Sequence, residues 1–263
     1  MNIRYIYSAC LEIQTSDVCI LTDPWFSQGI YDGSWFHFPN IESPLDILTE
    51  PDVIYVSHIH PDHYDPEFLR CLFKKWGPKP ILIPSFEENH LLKKCDADGI
   101  EATPIKTVNF GKTSITIIPN ITGSRSDIDS SIYVDDNRHR FLNINDCRWN
   151  DSFVRELQSR TNASYQALDL IALGYTGAGT FPQTYFDIAT EKEELLAAAE
   201  RKKLQFFRQY QKYCSALPAR HHLPFAGNYI LGGKLSKLNH YRGVADAVEV
   251  TDFDDKAIVL DDF

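Results

Sequence analysis

The chain has 263 residues, of which 43% are hydrophobic and 24% charged, and its net charge is −10. This composition is that of a globular protein long enough to bury a large core. The negative charge argues against a nucleic acid or an anionic membrane surface as the main partner. It does not argue against a small anionic substrate, because a few local arginines or lysines suffice to bind one.

The amino-terminal residues alternate apolar and polar side chains, so we expect a strand there and no secretory leader. No apolar run has the roughly 18 residues that a membrane span requires. The six cysteines are scattered without a C-x-x-C pair, and most lie in apolar segments. We therefore expect reduced thiols in the core of a cytoplasmic protein, folded as a single domain over residues 1–263.

In the first half of the chain, short segments rich in Ile, Val and Tyr predict strands. Behind Pro66, apolar residues recur at helical spacing. An aromatic loop over residues 23–39 either walls a pocket or covers the core. The predicted strands are 2–7, 10–14, 18–22, 52–57 and 79–83, and the predicted helices are 66–76 and 87–94.

The second half repeats this order, with a glycine-rich loop over residues 174–179. Two runs of strands, each followed by helices, favour an α/β fold in which two sheets pack face to face with helices outside, a four-layer αββα sandwich. The predicted strands are 105–109, 113–118, 130–135, 140–145, 168–173 and 215–218, and the predicted helices are 150–160 and 190–213.

The segment after the strand at 52–57 contains His58, His60, Asp62 and His63 in an H-x-H-x-D-H pattern. A strand end directs His58 and His60 to the same side, and the turn through Pro61 returns the other two toward them. Imidazole nitrogens and carboxylate oxygens are ligands for zinc and non-haem iron. We predict two divalent ions, zinc or iron, one on His58 and His60 and the other on Asp62 and His63.

This pattern resembles that of the metallo-β-lactamase superfamily, and further landmarks recur in order. Asp23 matches an early aspartate at a strand end that often supports a metal ligand. Asp146 matches the aspartate that bridges two metals, although a simple turn-former remains the alternative. The resemblance also implies a final histidine ligand after a late strand, for which His222 or His221 is the candidate.

One position departs from the superfamily pattern. The resemblance implies a histidine after the strand at 113–118, but Asn120 stands there. Asp127 and Asp129 are nearby: either a carboxylate replaces the histidine as a metal ligand, with Asp129 as the candidate, or the first metal site is weaker. A shell richer in oxygen would favour iron or manganese over zinc.

Three segments are similar to the CMP-N-acetylneuraminate hydroxylase family: residues 20–26, 174–185 and 224–229. That family hydroxylates a nucleotide-activated sialic acid and joins a Rieske domain to a metallo-β-lactamase-like domain with non-haem iron. A Rieske centre needs paired Cys and His motifs, and this sequence contains no C-x-H or C-x-x-H. By this resemblance, electrons would come from a separate reductase.

The glycine-rich loop is either a simple connection or a cover that closes over substrate. We expect Tyr175, Arg148 and Asn228 to contact substrate. Arg125, Lys234 and Lys237 are further candidates for binding a phosphate or carboxylate, with solvated surface charge as the alternative.

Three functions are compatible with these residues. The first is metal-dependent hydrolysis of a small, anionic or sugar-derived substrate, in which a metal-activated water attacks and Asp62 is the catalytic carboxylate. The second is a non-haem di-iron oxygenase that hydroxylates a sugar or related metabolite. The third is a non-catalytic module with a structural metal, which an open His and Asp site disfavours.

Overall fold

The structure is a computed structural model that describes residues 1–161, 167–227 and 229–260. Its first six-stranded sheet has the order β1-β2-β3-β5-β6-β7. Strand β2 pairs antiparallel with β1 and with β3. Strand β3 is parallel to β5, and the parallel arrangement continues through β6 and β7. The strands are β1 Asn2–Tyr7, β2 Cys10–Gln14, β3 Cys19–Thr22, β5 Val53–Tyr55, β6 Ile81–Pro84 and β7 Thr103–Ile105.

The second six-stranded sheet has the order β13-β12-β11-β10-β9-β8, and its last three strands along the chain are parallel to one another. A two-stranded ribbon, β4 Trp35–Phe36 with β14 Ile230–Leu231, joins the aromatic loop to the carboxyl-terminal region. The second-sheet strands are β8 Thr107–Phe110, β9 Thr113–Pro119, β10 Ser130–Asp135, β11 Arg140–Asn143, β12 Leu168–Gly174 and β13 Ala219–Phe225.

Strand β13 lies at the edge of the second sheet, and the chain returns to cover it. The His222 amide donates to the Lys256 carbonyl, and the Ile258 amide donates to the His222 carbonyl. Residues 256–258 therefore run alongside the middle of β13, with a parallel bridge between His222 and Ala257.

Helices lie between the strands as the alternation of the two apolar periods predicts. Asp65 begins α3, because its carboxylate accepts a hydrogen bond from the Phe68 amide. The helices are the four-residue turn α1 Ile30–Gly33, α2 Pro44–Ile47, α3 Pro66–Trp76, α4 His90–Asp98, α5 Asp151–Thr161 and α6 Lys192–Ala216, with the 3₁₀-helices η1 Gly233–Tyr241 and η2 Ala247–Asp252.

Three separate apolar clusters define four layers. One cluster packs the first sheet against α3 and α4, through residues such as Ile54 and Leu72. A second packs the other sheet against α5 and α6, through residues such as Leu157 and Tyr210. The third fills the space between the sheets. The predicted αββα sandwich is therefore confirmed.

Two predicted elements differ from the structure by more than a shift of their ends. The strand predicted at 215–218 is wrong: α6 continues to Ala216, and β13 occupies Ala219–Phe225. The strand predicted at 105–109 is two strands, β7 and β8, which belong to different sheets. Both errors come from short apolar segments, whose period does not separate a helix end from a strand.

No helix in the described part of the chain is long and apolar enough to cross a membrane. All six cysteines are described and each is a free thiol; four are buried, while Cys71 is exposed and Cys214 is half-buried.

Candidate metal centre

The candidate centre lies at one edge of the sandwich, where the carboxyl ends of parallel strands meet. Strands β3 and β5 in one sheet, and β11, β12 and β13 in the other, run parallel to their neighbours. The segments that follow these strands line a cavity of about 490 Å³. Such an edge is where sheets of this kind collect functional side chains.

Three histidines of the H-x-H-x-D-H segment gather at this edge. His58 and His63 are buried, whereas His60 is exposed and lines the cavity. His58 Nε2 lies 2.8 Å from His60 Nδ1, and the His58 and His63 rings are 4.0 Å apart. Burial, with the nearby His63 and His60 rings, lowers the pKa of His58 well below its usual range. Burial therefore favours the neutral form of the His58 imidazole, which is the form that binds metals.

Asp23 and Ser57 orient His63 from behind. The Asp23 carboxylate is fully buried, accepts a 2.7 Å hydrogen bond from the Ser57 amide, and lies 3.1 Å from His63 Nδ1. The Ser57 hydroxyl lies 3.0 Å from His58 Nδ1 and 3.2 Å from His63 Nδ1. Because Nδ1 of each ring is occupied, Nε2 faces the centre. This is the arrangement by which carboxylates fix ligating histidines.

Asp62 and Asp146 face His63 from two sides. His63 Nε2 lies 3.7 Å from Asp62 Oδ2 and 3.7 Å from Asp146 Oδ1. Burial lowers the pKa of His63, but Asp62, Asp23 and Asp146 outweigh it and raise the pKa to about 10. This edge of the protein therefore holds an excess of negative charge that a cation would neutralise.

Tyr31 is a partner of Asp62 that the sequence did not indicate. Its hydroxyl donates a 2.7 Å hydrogen bond to Asp62 Oδ1, and its ring packs on Trp35. Both aromatic residues line the cavity, while Trp25 and Phe26 of the same loop are buried in the outer core. The aromatic loop thus serves both purposes that the sequence left open.

Asn120 and Asp129 occupy the position of the expected histidine. Asn120 is buried, donates to the Arg148 carbonyl, and has no described partner for its Oδ1. Asp129 is half-buried, and its backbone carbonyl accepts from the Asn120 amide. Burial and the charge of Asp146 raise the pKa of Asp129 to about 7. Asp127 instead accepts hydrogen bonds within its own exposed loop, from Thr122 and the Gly123 amide.

His221 and His222 are not brought to this cluster, which corrects the predicted placement of the final histidine. They lie within β13, before its carboxyl end, because the strand begins later than the sequence suggested. His221 is exposed, and His222 Nδ1 lies 2.7 Å from Asp254 on the outer side of the second sheet. Phe225, Ala226 and Gly227 reach the cavity where that histidine was expected.

A buried polar network ties the two sheets together beside the cluster. The Tyr55 hydroxyl lies 2.8 Å from Ser130 Oγ, and Ser130 Oγ donates to the Ser57 carbonyl. On the other side, Nδ2 of the Asn145 side chain is 3.5 Å from the Tyr55 hydroxyl, and Asn143 Nδ2 donates to Asn145 Oδ1. The histidine segment of one sheet is thereby held against the Asp146 segment of the other.

Several non-glycine residues around the cluster have left-handed backbone conformations. The φ angles are 41° at Asp23, 50° at Asn145, 61° at Ala226 and 49° at Ser8. Left-handed φ is uncommon outside glycine, and it concentrates at functional sites. Three of these four residues line the cavity, which makes this edge the candidate functional site on a second, independent ground.

The predicted substrate contacts fall in different places. Arg148 lines the cavity, together with Thr176 and Gly177 of the glycine-rich loop, whereas Tyr175 is buried in the outer core. Asn228 lies outside the described residues. The other predicted cations, Arg125, Lys234 and Lys237, are exposed and do not line this cavity.

A second cavity of about 600 Å³ adjoins the first and shares Arg148, Phe206 and the loop residues 178–180 with it. Arg201 and Lys202 of α6 also line it, and no carboxylate does among the described residues. Lys202 Nζ donates to the carbonyls of Phe181 and Arg242. Sequence reasoning missed these two cations, because helical spacing alone does not indicate which face of α6 meets the loop.

The residues of the cluster fit a metal. One nitrogen each of His58 and His63 and one oxygen of Asp146 lie within 4.8 Å of one another. His60 and Asp62 adjoin them, and all five donors are imidazole or carboxylate groups, the ligands of zinc, iron and manganese. A sandwich of this topology with this cluster at its strand ends defines a metallo-β-lactamase-fold, metal-binding protein.

The family follows from a direct comparison. The family model described as "Beta-lactamase superfamily domain" matches residues 2–133, half of the chain, and the chain belongs to this superfamily. Among solved structures, it is similar to an isothiocyanate hydrolase from Delia radicum gut bacteria, with a TM-score of 0.66, 16% identity, and coverage of 100% of this chain and 97% of the other. It is also similar to CmlA, a diiron β-hydroxylase from Streptomyces venezuelae, with a TM-score of 0.63, 15% identity, and coverage of 98% and 52%.

Curated relatives confirm the narrower resemblance. The chain is 27% identical over 241 residues to the cytidine monophosphate-N-acetylneuraminic acid hydroxylase of Mus musculus, covering 88% of this chain and 39% of the relative. It is 28% identical over 227 residues to a "Putative Rieske 2Fe-2S iron-sulfur protein" of Mycolicibacterium smegmatis, covering 80% and 41%. The chain thus spans about 40% of the length of these relatives.

Proposed function

We propose that this chain is the catalytic domain of a non-haem iron oxygenase that hydroxylates a small anionic metabolite. The observation that carries the proposal is the donor set at the cluster. At the two places where the superfamily pattern implies further histidines, this chain has Asn120 with Asp129, and the segment from Phe225 to Gly227.

Five donors lie at the cluster, the imidazoles of His58, His60 and His63 and the carboxylates of Asp62 and Asp146, and we infer that Asp129 supplies a third carboxylate. A carboxylate-rich shell favours iron or manganese over zinc. When bound, iron would supply the oxygen-activating chemistry. The names of the curated relatives, a hydroxylase and Rieske iron-sulfur proteins, support the same class.

The chain's own residues would prepare the site. Asp23 and Ser57 hold the His63 and His58 rings so that Nε2 faces the ligand position. The Tyr31 hydroxyl holds Asp62 through one carboxylate oxygen and leaves the other free to face the centre. The aromatic wall of Trp35 and Tyr229, whose rings stack 3.6 Å apart, would exclude water from one side of the cavity.

The adjoining cavity supports an anionic substrate. Its lining carries Arg148, Arg201 and Lys202, although the chain as a whole has a net charge of −10. Guanidinium groups recognise phosphates and carboxylates with charge-assisted hydrogen bonds. A substrate with its reacting group near Asp146 and its anionic group near Arg201 would occupy both cavities.

The test is metal content and oxygen uptake of protein purified without added metal or chelator. We expect about two iron ions per chain by elemental mass spectrometry, and oxygen consumption when a chemical reductant or a Rieske-type donor is supplied. His58→Ala should lose the iron, while His240→Ala, at an exposed histidine of η1, should keep it. Two zinc ions without oxygen consumption would overturn the oxygenase proposal.

That outcome would favour the second candidate, metal-dependent hydrolysis. The observation behind it is the position of Asp62, which lines the cavity and is held by Tyr31, as a carboxylate that orients an attacking water must be. In that case we expect Asp62→Ala to fold with an unchanged circular dichroism spectrum and to lose turnover of lactones or phosphoesters. Retained turnover in metal-replete Asp62→Ala protein would remove Asp62 from the catalytic role.

A further inference from the structure

A second group of metal-ligating side chains lies on the outer side of the second sheet, outside both cavities. Cys214 comes from the last turn of α6, His222 from the middle of β13, and Asp254 follows η2. One ligand atom from each of the three lies within 4.8 Å of the others. Three elements distant in sequence thus place a thiol, an imidazole and a carboxylate at one point.

His222 has coordination capacity that the described structure leaves unused. The residue is only 4% exposed. Its Nδ1 lies 2.7 Å from Asp254 Oδ2, while Nε2 is buried and has no hydrogen-bond partner among the described residues. A buried polar atom without a partner is uncommon and unfavourable, and each instance requires an explanation such as an ion.

Hydrogen bonds hold the groups around this cluster in place. Asp254 Oδ2 also accepts a 2.8 Å hydrogen bond from the Tyr210 hydroxyl, so its charge is held in place. The ammonium group of Lys256, which is nearby along the chain, donates to the Ala219 carbonyl.

We propose that Cys214, His222 and Asp254 form a second metal site that takes a thiophilic divalent cation, with Zn²⁺ as its natural occupant. Sulfur, nitrogen and oxygen from three residues match the ligand set of tetrahedral zinc, with a water in the fourth position. The thiolate selects zinc against magnesium and calcium. On binding, the Cys214 S–H bond breaks, a sulfur–metal bond forms, and the proton passes to solvent.

The site would fasten three elements. The ion would join the end of α6 to β13 and to the segment after η2, at the side of the sheet opposite the space between the sheets. This fastening does not depend on the proposed oxygenase activity.

The probe is Co²⁺ titrated into metal-free protein. Cobalt bound to a thiolate absorbs strongly in the near ultraviolet, and the donors of the central cluster are imidazoles and carboxylates, so this band reports on the second site alone. We expect about one thiolate-bound cobalt per chain in the natural protein and in His58→Ala. Cys214→Ser should lose the band, and Cys71→Ser, at an exposed cysteine, should keep it.

Asp254→Asn provides a second variant, for which we expect cobalt affinity at this site to fall by at least about 10-fold, because the ligand oxygen loses its negative charge. It also serves if Cys214→Ser folds poorly, since it leaves the thiol in place. Absence of the band in the natural protein, or a band that survives Cys214→Ser, would overturn the proposal and leave His222 and Asp254 as a hydrogen-bonded pair. If the natural protein contains no iron as purified but shows the cobalt–thiolate band, that result would count against the proposed function alone.

Discussion

At the scale of single residues, the support behind the metal ligands is open to a direct test. The Asp23 carboxylate contacts both the Ser57 amide and His63 Nδ1. We expect Asp23→Ala to lower metal affinity at the central cluster about 10- to 100-fold, because His63 loses its orienting partner. Competition titration with a chromophoric chelator measures this.

Asp52→Ala is the matched control for Asp23→Ala. Asp52 accepts a 2.8 Å hydrogen bond from the Cys19 amide at the start of β3, whereas Asp23 lies just past the end of the same strand. The control should keep the affinity of the natural protein. Equal affinity in both variants would show that Asp23 does not support the ligand.

A second prediction at the residue scale concerns Lys202 and the pH dependence of stability. Burial, with a contribution from Arg242, lowers the pKa of Lys202 to about 8, below the value of about 10.4 for a lysine in an unfolded chain. Between these two values the unfolded chain binds the proton more tightly. The free energy of unfolding should therefore rise with pH in that window relative to Lys202→Met.

Relative to Lys202→Met, we expect the free energy of unfolding of the natural protein to rise by about 1 to 2 kcal/mol between pH 7 and pH 9.5 in urea titrations. Below pH 7 this difference should be constant, because Lys202 is protonated in both the folded and the unfolded state. Lys192→Met, at an exposed position in the first turn of α6, provides the comparison. If the free energy of unfolding depends on pH in the same way for Lys202→Met and Lys192→Met, the predicted pKa shift of Lys202 is wrong.

At the scale of elements, the long helix α6 packs closely against a glycine. A Cβ at Gly243 would lie 2.4 Å from the Ala199 carbonyl oxygen, and φ is +63°. Gly233 has a similar φ of +56° but nothing within 4 Å. Gly233→Ala should lower the free energy of unfolding by ~1 kcal/mol, the cost of left-handed backbone.

Gly243→Ala should lower it by ~3 kcal/mol, because the helix backbone must also move. Chemical denaturation of both variants separates the two effects. Equal losses would mean that α6 does not approach residue 243 as closely as the structure has it.

The sequence predicted most elements, since strands with alternating or continuous apolar residues and long amphipathic helices have distinct periods. It predicted the histidine segment as well, because four candidate ligands lie within six residues. Local patterns did not reveal contacts between distant segments. Tyr31 reaches Asp62, and Arg201 reaches the second cavity, only after the sheets have packed. The start of β13 was missed because the apolar end of α6 resembles a strand, and this error misplaced His221 and His222.

At the scale of the whole molecule, the candidate ligands come from both sheets. His58 and His63 follow a strand of the first sheet, and Asp146 follows β11 of the second. An ion shared by these residues would bind the folded state and not the unfolded chain. At a free concentration about 100 times its dissociation constant it would add about 2.7 kcal/mol of stability.

We expect calorimetry to show a higher melting temperature for metal-loaded than for metal-free protein. The Cys214→Ser background keeps the second site out of the measurement. Asp146→Ala should remove most of this increase, and Asp252→Ala, at an exposed carboxylate, should retain it. The same increase in both variants would place the ion within one sheet.

The return of residues 256–258 along β13 has a consequence for how the protein meets other copies of itself. The His222 backbone, in the middle of that edge strand, has both its amide and its carbonyl paired with this segment. An uncovered edge strand presents unpaired amides and carbonyls that pair readily with another chain. These few residues therefore shield the protein from edge-to-edge aggregation, and a chain cut after Asp255 would expose β13 to pairing with a second copy of itself.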